Sequence, residues 1–279
     1  MSSLYLFFPR AKIQRMKTVK EYVAKRKAEL AAEISLLPKP PRFAILQVND
    51  DPASNAYVNG KLRDSKELGI DALPLSYPLT ISQDELLEEI KQLNNDPSIG
   101  GMIVQLPLPK HISEEAVKLA IDPKKDVDGF HPCSTFVPCT PKGIVEYLES
   151  IGFSFAGKNA LIFGRSNIVG KPMAKLLLSK SCNVTVVHSK TSLEDQRFYA
   201  SHADLIVLAI GKMHYLDDRF DLKPDAVLVD VGINRGEDGK LRGDIVPDRK
   251  VAVQTPVPGG VGLLTRLALM ENVLEASKQ

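Results

Sequence analysis

The chain reads as an α/β protein of two α/β domains, each built on a mainly parallel sheet. Three observations predict this. At roughly 150 residues per domain, 279 residues make two modest domains and leave no room for a third. Short β-branched or aliphatic runs alternate with stretches of helical periodicity, the rhythm of strand-helix-strand units. One such run ends at Gly164 and passes, through a loop closed by Gly170, into a helix, as the first turn of a doubly wound sheet does. A hydrophobic content of 44% against 25% charged residues, with a mean hydropathy of −0.08, is enough to bury two such cores.

In chain order, residues 4–8 are apolar and are ended by Pro9 and Arg10. Without a charged lead they are too short for a signal-peptide core of about 7–15 residues, and they read as an edge strand or docking segment. Residues 16–35 are predicted as an amphipathic helix, stopped by the prolines at 38, 40 and 41. A strand over 43–48 follows. Helical spacing over 54–68 stops at Gly69, and a short strand over 72–77 leads to a helix over 83–93, whose start is marked by a capping box of Ser82 and Glu85. Residues 101–106 are apolar enough for a buried parallel strand, which Pro107 and Pro109 end. The second half carries strands over 159–163, 183–188, 204–210 and 226–231, with a helix from about 171 between the first two. The last helix, 262–277, has the apolar length to pack back across the first domain. The division expected is 1–139, completed by 262–279, and 140–261.

Charge and cysteine usage exclude several partners. Lys and Arg number 36 against 34 Asp and Glu, a net +2, with no basic block to track a phosphate backbone, so no nucleic acid partner is predicted. No apolar run approaches the ~20 residues of a membrane helix, and no membrane partner is predicted. Cys133, Cys139 and Cys182 are too few and odd in number for a disulfide framework and suit a reducing cytoplasm. They lack the close Cys/His spacing of a zinc site, and no metal is predicted.

Gly164-Arg165-Ser166-Asn167-Ile168-Val169-Gly170 has the context of a dinucleotide loop. Gly164 permits a tight turn, Gly170 permits close approach, and the helix start offers N–H groups to a pyrophosphate. The spacing departs from G-x-G-x-x-G, so a plain strand-to-helix turn is the alternative. The next strand ends in His188-Ser189-Lys190-Thr191 rather than in the carboxylate that holds a ribose 2′-hydroxyl. With Arg165, those hydroxyls and cations suit a 2′-phosphate, which favours NADP over NAD; a solvated Ser/Lys turn is the other reading.

A second constellation lies in the first half. Tyr57 and Lys61 are four apart and share a helix face, where a lysine beside a phenol can have a lowered pKa and move protons near neutrality. An amphipathic surface pair would show the same spacing. Gln105 ends a buried strand, where ligands of parallel sheets lie, although a strand-end cap would also stand there. Asp128, in Lys125-Asp126-Val127-Asp128-Gly129, can accept two hydrogen bonds from the N–C–N edge of a heterocycle, or can simply belong to an Asp-Gly turn. Residues 255–262, Thr-Pro-Val-Pro-Gly-Gly-Val-Gly, suit a loop closing over a flat ligand, or a rigid linker.

In this order the segments resemble the bifunctional methylenetetrahydrofolate dehydrogenase/methenyltetrahydrofolate cyclohydrolase family from about Phe43 to the C-terminus. The resemblance rests on Tyr57-Val58-x-x-Lys61, Gln105-Leu106-Pro107-Leu108-Pro109, Lys125-Asp126-Val127-Asp128-Gly129, Pro138-Cys139-Thr140-Pro141-x-Gly143, Gly164-Arg165-Ser166-x-Ile168-Val169-Gly170-x-Pro172, Asp230-Val231-Gly232-Ile233-Asn234 and 256–262. It implies an N-terminal catalytic domain, a C-terminal Rossmann-type NADP-binding domain, a folate cleft between them, and a homodimer in the cytoplasm. Lys61 would be the general acid/base of the cyclohydrolase step, tuned by Gln105, with Tyr57 and Asp128 holding the pterin. Pro258, Gly259 and Gly260 would also line the folate site. Gly164, Arg165, Ser166, Ile168, Gly170, Ser189 and Ile233 would bind the cofactor, and tetrahydrofolate derivatives would be the substrates. Gly60 stands where the family commonly has serine and Leu263 where it has proline. The opening segment lacks the usual Gly-Lys start. The segment between Gly129 and Pro138 is cut to eight residues without an Asn-x-Gly, a change beside the cleft that bears on folate affinity or on the balance of activities. The alternatives on the same residues are an NADP-dependent dehydrogenase of another small substrate, and a folate- or nucleotide-binding regulator without turnover.

Overall fold

The computed structural model describes residues 18–279, so the reading of residues 4–8 lies outside the described residues. Helix α1, Val19–Ser35, begins three residues later than its periodicity predicts. Thr18 fixes that start, because its hydroxyl accepts from Glu21 N while the Glu21 carboxylate returns to Thr18 N. Strand β1, Arg42–Gln47, leads to α2, Pro52–Leu68, which starts two residues before the predicted 54. Asp51 caps it through Ser54 N at 2.8 Å, and Pro52 occupies the first turn, where its missing N–H costs nothing. Strand β2, Asp71–Ser76, helix α3, Gln83–Asn95, with the predicted capping box, and strand β3, Gly101–Gln105, follow. The three strands form one parallel sheet in the order β2-β1-β3. Helices α4, Glu114–Ala120, and α5, Cys139–Ser150, complete the first half.

The second half holds β4, Asn159–Phe163, α6, Gly170–Ser179, β5, Asn183–Val187, and α7, Leu193–His202. Next come β6, Leu205–Leu208, β7, Val227–Asp230, a small antiparallel hairpin of β8, Asn234–Arg235, with β9, Leu241–Arg242, and then β10, Val253–Gln254. The parallel sheet runs β10-β7-β6-β4-β5, so the chain leaves β4 on one side and returns to its other side with β6. Such a reversal opens a crevice beyond the carboxyl end of β4. Strands β6 and β7 are shorter than predicted because Asp244 and Asp230 bend the chain after them. Asp244, fully buried, accepts from the amides of Ile210, Gly211 and Lys212 at 2.7–2.9 Å, and Asp230 accepts from Gly232, Asp244 and Ile245 at 2.8–3.0 Å.

The last helix, α8, Val261–Ala276, returns to pack on α5, α1 and α2, as its apolar length predicts. A continuous apolar core joins these helices to β1 and β3 and, through α5 and α6, to β4. Smaller cores lie between the first sheet and α3–α4 and around β4, β6 and β7.

Candidate active site

Two of the residues read from the sequence meet directly. Lys61, on the inner face of α2 and 9% exposed, donates from Nζ to Gln105 Oε1 at 3.0 Å. Gln105 Nε2 donates to the Leu106 carbonyl at 2.8 Å, which turns its amide oxygen toward the lysine. Burial pulls the Lys61 ammonium below the ordinary lysine range; the Asp128 charge opposes that shift and Arg266 adds to it. Burial also raises the Asp128 carboxyl, against the lowering effect of Lys61. The pair therefore sits closer to exchanging a proton than two solvated groups would.

The two aspartates of the 125–129 turn divide their work. Asp126 is 2% exposed and holds the loop, accepting from Gly129 N at 3.2 Å and His131 N at 2.7 Å. Asp128, partly exposed, faces a recess shared with Leu106, Phe130, Asn167 and Ile168. The shortened segment after it is pinned rather than extended: Ser134 Oγ donates to the Asp126 carbonyl at 3.1 Å, and Phe136 is buried.

Tyr57 lies one turn before Lys61 and lines a cleft of about 370 Å³ with Ile233, Pro258, Gly259, Gly260 and Arg266. Burial raises its phenol. The 256–262 segment is thus a cleft wall, with Gly259 at φ +93°. Ile233 and Ile168 stand at these two recesses and not in the crevice beyond β4.

That crevice, about 490 Å³, is lined by Gly164, Arg165, His188, Ser189, Thr191, Gln196, Ile210, Lys212 and Tyr215 among others, with no carboxylate among the described residues that line it. Gly164 has φ +107°, and a Cβ on Gly170 would strike the Gly164 carbonyl oxygen, so only glycines give this close loop. The cradle fits a dinucleotide. The start of α6 is less open than the sequence implies, because Ser166 Oγ accepts from Val169 N and Gly170 N at 3.1 and 3.3 Å and its carbonyl accepts from Lys171 N. Lys190 is exposed and does not line the crevice.

Three supporting groups escaped the sequence reading. Asp244 shapes the 210–212 wall of the crevice. Asn272 on α8, fully buried, donates from Nδ2 to the Val127 carbonyl at 2.9 Å and the Val137 carbonyl at 3.1 Å, while its Oδ1 accepts from Lys142 Nζ at 2.7 Å. Arg266 reaches over Gly60 to bind Asp64 at 2.7 Å. Only a buried-polar residue amid the apolar 261–276 pattern, as at Asn272, could have flagged any of them.

A parallel-sheet nucleotide domain joined to a second α/β unit that presents a buried lysine and a carboxylate defines a pyridine-nucleotide oxidoreductase with an added acid/base centre. Residues 16–128 match the tetrahydrofolate dehydrogenase/cyclohydrolase catalytic domain and residues 138–279 the NAD(P)-binding domain of the same family. The bifunctional protein FolD of Ruminiclostridium cellulolyticum is 47% identical over 272 residues, covering 92% of this chain and 94% of its own. The crystal structure of bifunctional FolD from Campylobacter jejuni superposes with a TM-score of 0.90 at 40% identity, covering 93% of this chain and 97% of that one. The Trypanosoma brucei enzyme, solved with NADP cofactor and inhibitor, gives 0.89 at 30% identity over 94% and 97%. The chain belongs to the tetrahydrofolate dehydrogenase/cyclohydrolase family and is a bifunctional enzyme with both of its domains.

Proposed function

We propose that the chain oxidises 5,10-methylenetetrahydrofolate to the 5,10-methenyl cation with NADP and hydrolyses that cation to 10-formyltetrahydrofolate in the cleft around Tyr57, Lys61 and Asp128. The observation that carries this reading is the buried Lys61–Gln105 contact at 3.0 Å with Asp128 as counter-charge. Residues 1–139, completed by 262–279, hold the folate; residues 140–261 hold the cofactor. When bound, NADP supplies the hydride acceptor. Gly164, Ser166 and Gly170 shape the turn that receives it, Arg165 and Ser189 take its 2′-phosphate in a crevice with no carboxylate among its described lining residues, and Ile168 and Ile233, at the two neighbouring recesses, would meet only the part of the cofactor that reaches beyond the crevice.

Asp128 accepts from the N–C–N edge of the pterin, Tyr57 sets the ring plane, and Pro258, Gly259 and Gly260 close the other wall. Oxidation needs orientation above all, since the folate nitrogen lone pair already stabilises the developing cation. Hydrolysis needs a base. Lys61, its ammonium destabilised by burial, takes a proton from the water that adds to the methenyl carbon. Proton return through the same lysine to N5 breaks the C–N5 bond, leaving the formyl group on N10 and one proton for solvent.

We further propose a cytoplasmic homodimer whose product serves one-carbon metabolism and purine biosynthesis. The outer strand β5 supports the dimer: it stands at the edge of the sheet and its Val186 is 37% exposed, an edge a second copy would cover. The free cysteines are consistent with a reducing compartment. The deciding experiment is a paired assay. Purified protein should reduce NADP with methylenetetrahydrofolate and hydrolyse the methenyl compound, with NAD clearly worse. Equal or better use of NAD overturns the roles of Arg165 and Ser189, and binding without either turnover turns the reading to a regulator.

A further inference from the structure

Where α8 packs on α2, Gly60 leaves a gap that an arginine of the other helix fills. A Cβ on Gly60 would stand 2.6 Å from Arg266 Nη1 and 3.2 Å from its Cζ, so the guanidinium occupies the space that any larger residue would take. It is fixed there from its other edge, where Nε donates to Asp64 Oδ2 at 2.7 Å. Asp64, buried, also receives Lys27 Nζ on Oδ1 at 2.7 Å, so one carboxylate ties α1, α2 and α8 together. Gly60 immediately precedes Lys61 and Asp64 lies one turn beyond it, which makes the arginine span the segment that carries the lysine. Three elements present charged or titratable groups to the Lys61 amine: Asp128 from the 125–129 turn, Cys139 from α5 and Arg266 from α8. The end of β3 adds the neutral Gln105 amide, and on α2 itself Tyr57 and Asp64 stand a turn to either side. Asp128 favours the ammonium, and the Cys139 thiol, pushed up by burial, is uncharged near neutrality. Of the three, Arg266 favours the free amine, and a guanidinium keeps its charge at every working pH.

We propose that Arg266 is a positioning residue for the hydrolysis step: seated over Gly60 and anchored by Asp64, it stations a fixed positive charge beside Lys61 that holds the amine in its proton-accepting form. The proposal rests on the function proposed above, in which Lys61 takes a proton from the water that adds to the methenyl carbon. Hydride transfer asks for no base, so loss of this charge falls on hydrolysis and spares the oxidation. A like charge beside a buried amine moves its ionisation by about 0.5–1 pH unit, which is about three- to tenfold in the free amine on the rising limb of the rate. The seat belongs to this sequence in particular, because it exists only while position 60 lacks a side chain.

The test measures kcat against pH for hydrolysis of the methenyl compound at saturating substrate, with the uncatalysed rate subtracted, in the native protein, Arg266→Gln, Arg266→Lys and Gly60→Ala, and the dehydrogenase kcat of the same samples. In Arg266→Gln the rising limb should move up by about 0.5–1 pH unit, hydrolysis near pH 7 should fall about three- to tenfold, and the dehydrogenase kcat should stay within about twofold of native. Arg266→Lys, which keeps the charge, should hold the limb near its native position. Gly60→Ala keeps the arginine but displaces its guanidinium, so it should move the limb in the same direction by less; this variant carries the test should Arg266→Gln fail to fold. An arginine that merely braces α8 against α2 would lower both activities and leave the limb in place. A limb unmoved in Arg266→Gln and Gly60→Ala, or moved as far in Arg266→Lys as in Arg266→Gln, overturns the role of Arg266 while leaving the proposed function standing. A native protein that does not hydrolyse the methenyl compound overturns that function, and the role of Arg266 with it.

Discussion

Lys61 is charged in water and is almost wholly buried here, a conflict relieved locally by the Gln105 amide and, first among the neighbouring charges, Asp128. Lys61→Met keeps the stem and removes the amine, so cyclohydrolase turnover should fall by about 10²–10⁴-fold while a measurable dehydrogenase rate survives. Equal loss of both activities in parallel assays would remove the proton-shuttle role. Because burial depresses the lysine, the hydrolysis rate should rise with pH through an ionisation below the ordinary lysine value of 10.5, a limb absent from Lys61→Met. Asp128→Ala deletes a charged acceptor worth roughly 1.5–3 kcal/mol, so folate KM should rise about 10- to 100-fold. Unchanged folate binding by titration would return Asp128 to being a turn residue. Local spacing disclosed Tyr57 and Lys61 because four residues on a helix are neighbours in space. It could not disclose Asn272, whose partner Val127 lies 145 residues away. Nor could it show which aspartate of the 125–129 turn holds the loop, a matter decided by the amides of Gly129 and His131.

Elements announced by caps and aliphatic runs were legible, and those set by distant contacts were not. The box at Ser82 placed α3, and the run at 159–163 placed β4, because their causes lie within the segment. Helix α5 was not among the elements predicted; its Pro141 stands in the first turn, where proline is tolerated. The ends of β6 and β7 were misjudged because aliphatic sequence continues through residues whose amides Asp244 and Asp230 capture. Helix α8 shows how one element serves a site built elsewhere. Its Asn272 ties the Val127 and Val137 carbonyls together, flanking Asp128 from behind. Asn272→Ala leaves both carbonyls and Lys142 short of a partner, at a cost of roughly 1–3 kcal/mol in denaturant unfolding. Folate KM should rise with little change in kcat. On an Asp128→Ala background that KM effect should vanish, since residues acting through one group are not additive. Additive effects in the double-variant cycle would confine Asn272 to stability.

At the scale of the whole molecule, the two halves are joined where α1, α5 and α8 meet, and that junction contains a buried pair of carboxyls. Glu146 on α5 is hydrogen-bonded to Glu271 on α8, and the Oε2 atoms of both are buried without a donor among the described residues. Burial first, then Glu271, pushes the Glu146 carboxyl up to about 8, against the opposing charges of Lys142 and Arg26. Glu271 is held by Arg26 Nη2 at 2.8 Å, Arg26 also binds Glu29, and the buried Tyr22 phenol faces the same acids. A proton on the Glu146 carboxyl lets it donate to Glu271. The folded chain thus retains at neutrality a proton that the unfolded chain, with Glu146 near 4.5, has released. Between those two values the native state binds more protons, so stability falls as pH rises, fully present below about 4.5 and lost through about 8. The loss should be on the order of 1–3 kcal/mol, seen as a Tm several degrees lower at pH 8.5 than at pH 6. Glu146→Gln supplies a permanent N–H donor of nearly the same shape, and it should flatten that slope and raise Tm at pH 8.5. A native Tm that holds constant across this range, or a slope that persists in Glu146→Gln, would show that the junction carries its carboxylates ionised and that Arg26 and Lys142 alone compensate them.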